Sequence, residues 1–102
     1  MAIQDNVPVM DEIALCSLCE TLKKNPRGVQ AGSILETARS EQPSQFAFSS
    51  ARSISAILGR YGIRSKHTGG KNIFQPSWEQ LKAIQKNYGF DLPLPEDNQE
   101  VF

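Results

Sequence analysis

The stretch from residue 49 to residue 75 leaves this chain few folds to choose from. Ile54, Ile57, Leu58 and Tyr61 occupy the i, i+3, i+4 and i+7 positions of one helical face. Arg52, Ser53, Ser55, Ala56 and Arg60 fall on the opposite face. Ser49 or Ser50 precedes this stripe, and a serine hydroxyl there accepts from the free amides of a first helical turn. Gly62 follows it as a left-handed terminator. Two short runs then flank Gly69-Gly70, namely Ile63-Arg64-Ser65-Lys66-His67-Thr68 and Lys71-Asn72-Ile73-Phe74-Gln75. A two-residue hairpin loop needs positive φ at both central residues, which a glycine pair supplies. An amphipathic helix running straight into a hairpin is therefore the framework around which the remaining segments must pack, with Ile63, Ile73 and Phe74 as the hairpin's anchors.

The flanking segments read as helices. Residues 9–24 carry an approximate apolar stripe of Val9, Ile13, Cys16, and Cys19 or Glu20 with Leu22. Asp11 and Glu12 in the first turn and Lys23 and Lys24 in the last suit the helix dipole. Asn25-Pro26-Arg27-Gly28 stops this helix, and Val29-Gln30-Ala31-Gly32 forms a link with a minimal strand. A second helix starts at Ser33, where Glu36 three residues later completes a capping box and Ile34, Leu35 and Ala38 supply the buried face. It ends near Glu41-Gln42-Pro43, and residues 44–48 form a turn whose Phe46 and Phe48 are core anchors. After the hairpin, Pro76 breaks the strand and Ser77 caps a last helix with Trp78, Leu81, Ile84 and Tyr88 on its apolar face. Gly89 closes that helix. Residues 1–8 are expected to be a flexible lead-in, 9–90 the folded domain, and 91–102, with Pro93, Pro95 and four acids, a flexible acidic tail.

At 102 residues the chain is sized for one domain. No apolar run approaches the roughly 20 residues that span a bilayer, and the start lacks a basic region followed by an apolar stretch, so a cytoplasmic protein without membrane contact is expected. Cys16 and Cys19 have the Cys-x-x-Cys spacing, but the only histidine is His67, far along the chain, and no βαβ context surrounds the pair. They are expected to be two buried structural thiols, with no metal and no cofactor. The formal net charge is zero, yet the charge is segregated. Between residues 52 and 86, seven bases (Arg52, Arg60, Arg64, Lys66, Lys71, Lys82 and Lys86) face Glu79 alone, a local +6. Residues 1–51 carry −2 and residues 87–102 carry −4. A phosphate backbone responds to that local basic field, not to the zero sum.

The element order is thus mainly α with a small β-hairpin, in the α-α-α-β-β-α succession of a winged helix-turn-helix. In that arrangement the third helix enters the major groove and the hairpin reaches phosphates or the minor groove. The expected DNA-binding residues are Ser49, Ser50, Arg52, Ser53, Ser55 and Arg60 on the helix, and Arg64, Lys66, His67, Lys71 and Asn72 on the wing. Double-stranded DNA is the expected partner. The alternative is a winged helix that docks a replication or transcription protein through an exposed apolar patch, with Phe46, Phe48 and Phe102 the residues to inspect. An RNA or single-strand binder would show exposed aromatics on the basic face. The pairs Asp11-Glu12 and Glu96-Asp97 are sequence neighbours that do not face each other on a helix, and His67 has no evident nucleophile, so no enzymatic activity is expected of the domain itself.

Leu58-Gly59-Arg60-Tyr61-Gly62-Ile63-Arg64-Ser65-Lys66, then Gly69-Gly70-Lys71, Phe74 and a helix opened by Trp78, resembles the small winged-helix module at the C-terminal end of some phage- and plasmid-type primase–helicase proteins. The resemblance spans residues 46–88. It implies an accessory module that helps a replication protein of a mobile element engage DNA, with Arg60, Arg64, Lys66 and Lys71 as the residues concerned. Neither a Walker A motif nor a primase signature is present in the chain.

Overall fold

The computed structural model describes residues 9–46 and 50–95. It is mainly helical, with one two-stranded antiparallel sheet. The elements are α1 (Val9–Lys24), α2 (Ala31–Glu41), the single-turn α3 (Pro43–Phe46), α4 (Ala51–Arg60), β1 (Ser65–Thr68), β2 (Lys71–Phe74) and α5 (Trp78–Tyr88). Helices α1, α2 and α4 pack on one another, α3 packs on α2, and β2 leans on α2. One core runs through all of them, from Leu15, Leu18 and Ile34 through Ile54 and Leu58 to Ile63, Phe74 and Leu81. None of the described helices is long and apolar enough to cross a membrane.

Local chemistry explains most element ends. Ser50 Oγ accepts from the Ser53 amide at the start of α4, and Ser77 Oγ accepts from the Gln80 amide at the start of α5. Gly89 closes α5 with φ 74°, its amide donating to the Gln85 carbonyl. The hairpin turns through Gly69 (φ 59°) and Gly70 (φ 79°), as the glycine pair predicts. Its register pairs Ser65 with Phe74, Lys66 with Ile73, His67 with Asn72 and Thr68 with Lys71.

Helix α2 departs from expectation at its start. It begins at Ala31 with Gln30 as its cap, two residues before Ser33, and no side chain caps it. The cause lies in the preceding residue. Val29 is fixed in an isolated bridge to Phe74, donating its amide at 2.9 Å and accepting at 2.7 Å, so the chain is extended up to residue 30. The Gln30 carbonyl then accepts from the amides of Ser33 and Ile34, which makes a Ser33–Glu36 capping box unnecessary. Residues 43–46, expected within a turn, form a helical turn that delivers Phe46 fully into the core. Phe48 and Ser49 lie outside the described residues.

The buried face of α1 is also rotated from the expected stripe. Ala14, Leu15, Leu18, Cys19 and Leu22 are buried, Ile13 and Cys16 lie at the margin, and Glu20 is exposed. Residues 13–19 are apolar nearly all round, so periodicity alone cannot choose a face, and α1 has two helical neighbours to satisfy. The folded body also extends past residue 90. Phe90 and Leu92 are buried, the Asp91 amide donates to Glu12 Oε2 at 3.0 Å, and the Leu92 amide donates to Gln85 Oε1 at 2.8 Å. The remainder of the expected tail, 96–102, and the expected lead-in, 1–8, lie outside the described residues.

The bridge places Gly28 against the hairpin. Its φ is 131°, and a Cβ there would clash with Ile73 Cγ2. Gly28→Ala is therefore expected to destabilise the fold by about 1–2 kcal/mol through backbone strain and a stiff branched neighbour. Urea denaturation checks this, and an unchanged midpoint would show that the bridge region adjusts freely.

Candidate nucleic-acid interface

The residues expected on the recognition face divide into two groups. Arg52 and Ser55 on α4, with Lys71 and Asn72 on β2, line one open groove of about 520 Å³. Gln30, Ala31 and Gly32 at the start of α2 form its other wall, and Phe74 its base. An adjoining recess of about 250 Å³ shares Ser55 and Phe74 and adds Arg64 and Ser65. No carboxylate lines either depression. Arg52, Ser55, Arg64, Lys71 and Asn72 are all exposed. The arrangement is a continuous concave strip whose charges are all positive, edged by hydroxyl and amide groups.

On the hairpin, side chains that pair across the strands share a face, and faces alternate along each strand. The register puts Lys66 and Lys71 on one face of the ribbon and His67 and Asn72 on the other. His67 Nδ1 lies 3.0 Å from Asn72 Oδ1, so the imidazole is held by its cross-strand partner. Ser50 and Ser53 are exposed, but their hydroxyls lie 3.3 Å apart and Ser50 Oγ also holds the α4 cap, so both serve the start of the helix.

Arg60 belongs to a different place. Its Nη1 donates to Asp11 Oδ1 at 3.0 Å and to Asp11 Oδ2 at 2.9 Å. Asp11, on α1, is buried, and its Oδ2 also accepts from the Tyr61 hydroxyl. Burial and this hydrogen bond to Asp11 push the Tyr61 phenol well above its ordinary range. Arg60 thus neutralises an interior carboxylate and is not among the residues lining the groove. The amphipathic pattern put it on the polar side of α4, correctly, but could not reveal a buried acid 49 residues upstream.

Sequence reasoning missed the start of α2. The amides of Ala31 and Gly32 belong to a first helical turn, which has no intrahelical acceptors for its donors. The clue available was the extended Val29, which forces the helix to begin before its serine.

The cysteines take no part in the groove. Both are free thiols, Cys19 buried and Cys16 half-buried. Burial, and secondarily the neighbouring thiol, push Cys19 up to about 12, and burial with the Glu12 carboxylate pushes Cys16 up to about 11. Both keep their protons near neutral pH, unlike activated nucleophiles. Among the described residues no three His, Cys, Asp or Glu side chains gather closely enough to hold a metal ion. The raised thiols predict a pH dependence. An unfolded cysteine ionises near 8.5 and the folded Cys19 near 12, so stability present below about pH 8.5 falls as pH rises toward 12. Cys19→Ala should flatten that alkaline decline in denaturation curves recorded at successive pH values, and an equally steep decline would show that Cys19 does not contribute.

Comparison with protein-family models, curated proteins and solved structures finds no match to this chain.

Proposed function

We propose that the chain is a non-catalytic DNA-binding domain of winged-helix type, with α4 presented to the major groove and the hairpin acting as the wing. One observation carries this reading: the concave strip between α4, the start of α2 and the hairpin, positive throughout and free of carboxylates. Lys71 and Arg52, both in its lining, suit phosphate contacts, while Ser55 and Asn72 suit base edges or sugar. The glycine turn lets the hairpin tip approach a duplex closely. The resemblance of residues 46–88 to primase–helicase modules supports an accessory role in replication of a mobile element.

A protein-docking winged helix requires an exposed apolar patch. Among the described residues Tyr88 is the one exposed large apolar side chain, and Phe46 is fully buried. Phe48 and Phe102 lie outside the described residues.

Fluorescence anisotropy with random-sequence duplex and single-stranded DNA, from about 50 to 200 mM salt, tests the reading. The expected result is micromolar duplex binding that collapses with salt. Lys71→Ala and Arg52→Ala should each reduce the slope of log K against log salt by about 0.9, with the thermal midpoint unchanged. Absence of binding at the lowest salt, or unchanged slopes in both variants, would overturn it.

A further inference from the structure

The corner between α1 and α2 carries a second set of bases. Lys23 and Lys24 end α1 and Arg27 follows in the turn, all three exposed. No acid occurs between residues 21 and 35, so the −2 of residues 1–51 hides a local +3. Glu20 stands one turn before Lys24, yet none of the three bases forms an ion pair among the described residues. The dipole of α1 accounts for lysines in its last turn, but that effect fades within the turn and leaves Arg27 without a reason.

The corner is fastened to the hairpin. The Gly28 amide donates to the Asn25 carbonyl at 3.0 Å, and the Asn25 amide donates to the Thr21 carbonyl at 3.0 Å. Pro26 supplies the fixed φ that such a tight turn uses. Gly28 then abuts Ile73, and Val29 exchanges both of its backbone hydrogen bonds with Phe74. Ile73 pairs with Lys66 and shares a face of the ribbon with it and with Lys71. The corner therefore meets the hairpin on the face that carries Lys66 and Lys71, both exposed and without an ion pair among the described residues. A few residues on, Gln30, Ala31 and Gly32 form a wall of the basic strip. Positive charge thus continues from the strip around the root of the hairpin to the corner.

We propose that the α1–α2 corner is a second phosphate-contacting surface for duplex DNA, with Lys24 and Arg27 meeting the backbone beyond the segment held by α4 and the wing. It rests on the nucleic-acid reading and lengthens that footprint on the hairpin side. Phosphates repeat along both strands whatever the bases, so these contacts add affinity and salt dependence without sequence preference. A corner already fixed by its turn and bridge loses little backbone freedom on binding.

The test is salt-dependent fluorescence anisotropy of the full chain with duplexes of about 10 and about 24 base pairs, roughly one helical turn and more than two. The double variant K24Q/R27Q should lower the slope of log K against log salt by about 1.8 on the longer duplex and leave the shorter one unaltered. Both residues are exposed, so its melting curve should stay in place. Lys71→Ala should lower the slope on both lengths. Lys86→Gln removes an exposed charge from α5 and should leave both slopes unchanged. An unaltered slope in K24Q/R27Q beside a lowered one in Lys71→Ala would overturn the second surface and leave the strip standing. An equal fall in Lys86→Gln would overturn it by showing an effect of overall charge, and equal falls on both lengths would overturn it by placing the two bases inside the α4 footprint. A wild-type chain that binds neither duplex at the lowest salt would bring down both readings together.

Discussion

Phe46→Ala is expected to remove about 3–5 kcal/mol of folding free energy, the loss typical of truncating a fully buried aromatic. A domain of this size has only about 5–15 kcal/mol in total, so a substantial part of the variant should be unfolded at physiological temperature. Among the described residues Phe46 is the largest fully buried side chain, and it ends the single turn α3, which packs on α2. Its carbonyl is also held, accepting from Arg39 Nε at 3.1 Å. Removing the ring leaves a void whose lining loses its contacts, and Phe46's own backbone is held by the Gln42 carbonyl and by Arg39. Phe46→Leu keeps most of the volume and should cost less than half as much. Urea denaturation of both variants distinguishes the cases, and a loss below about 1 kcal/mol for alanine would mean that α3 collapses into the void.

The contrast between Phe46 and its surroundings shows what periodicity can and cannot reveal. The aromatic in a polar stretch was recognisable as a core anchor, whereas the helical turn that carries it was hidden by Pro43 and the serine beside it. The hairpin, the α4 stripe and the Ser50, Ser77 and Gly89 caps were legible because each depends on residues within a few positions. The face of α1, the early start of α2 and the packing of residues 91–95 were not, because each is decided by a distant partner: two helices, the Phe74 bridge, and Glu12 with Gln85. The candidate site divides in the same way. Arg52, Ser55, Arg64, Lys71 and Asn72 could be picked from local charge and placement in the element order, while the α2 wall depended on a non-local bridge.

Arg60 is the sharpest case, and its removal is the second large effect expected. Asp11 is 4% exposed at its side chain, and the Arg60 guanidinium, 58% exposed, supplies its countercharge. Taking away one member of a buried pair strands the other, at a cost of about 3–5 kcal/mol when both are interior. Arg60 is half in water, so Arg60→Ala should fall near the lower end, about 3 kcal/mol. Arg60→Lys should cost less, because an ammonium keeps the charge while losing the planar fork. Asp11→Asn in the Arg60→Ala background should recover part of the loss, since the uncompensated carboxylate is then gone, and a double-mutant cycle over Asp11 and Arg60 should be clearly non-additive. Tyr61 gives an independent check. Its hydroxyl donates to the same carboxylate, and its ring makes an edge contact with Tyr88 at 4.9 Å, so Tyr61→Phe should lose the hydrogen bond and retain the packing. The assignment also separates Arg60 from Lys71 functionally. Under conditions where both variants remain folded, Lys71→Ala should change the salt slope of the proposed DNA binding and Arg60→Ala should not. Full stability with a reduced slope in Arg60→Ala would instead return this arginine to the phosphate-contacting set and make the Asp11 contact incidental.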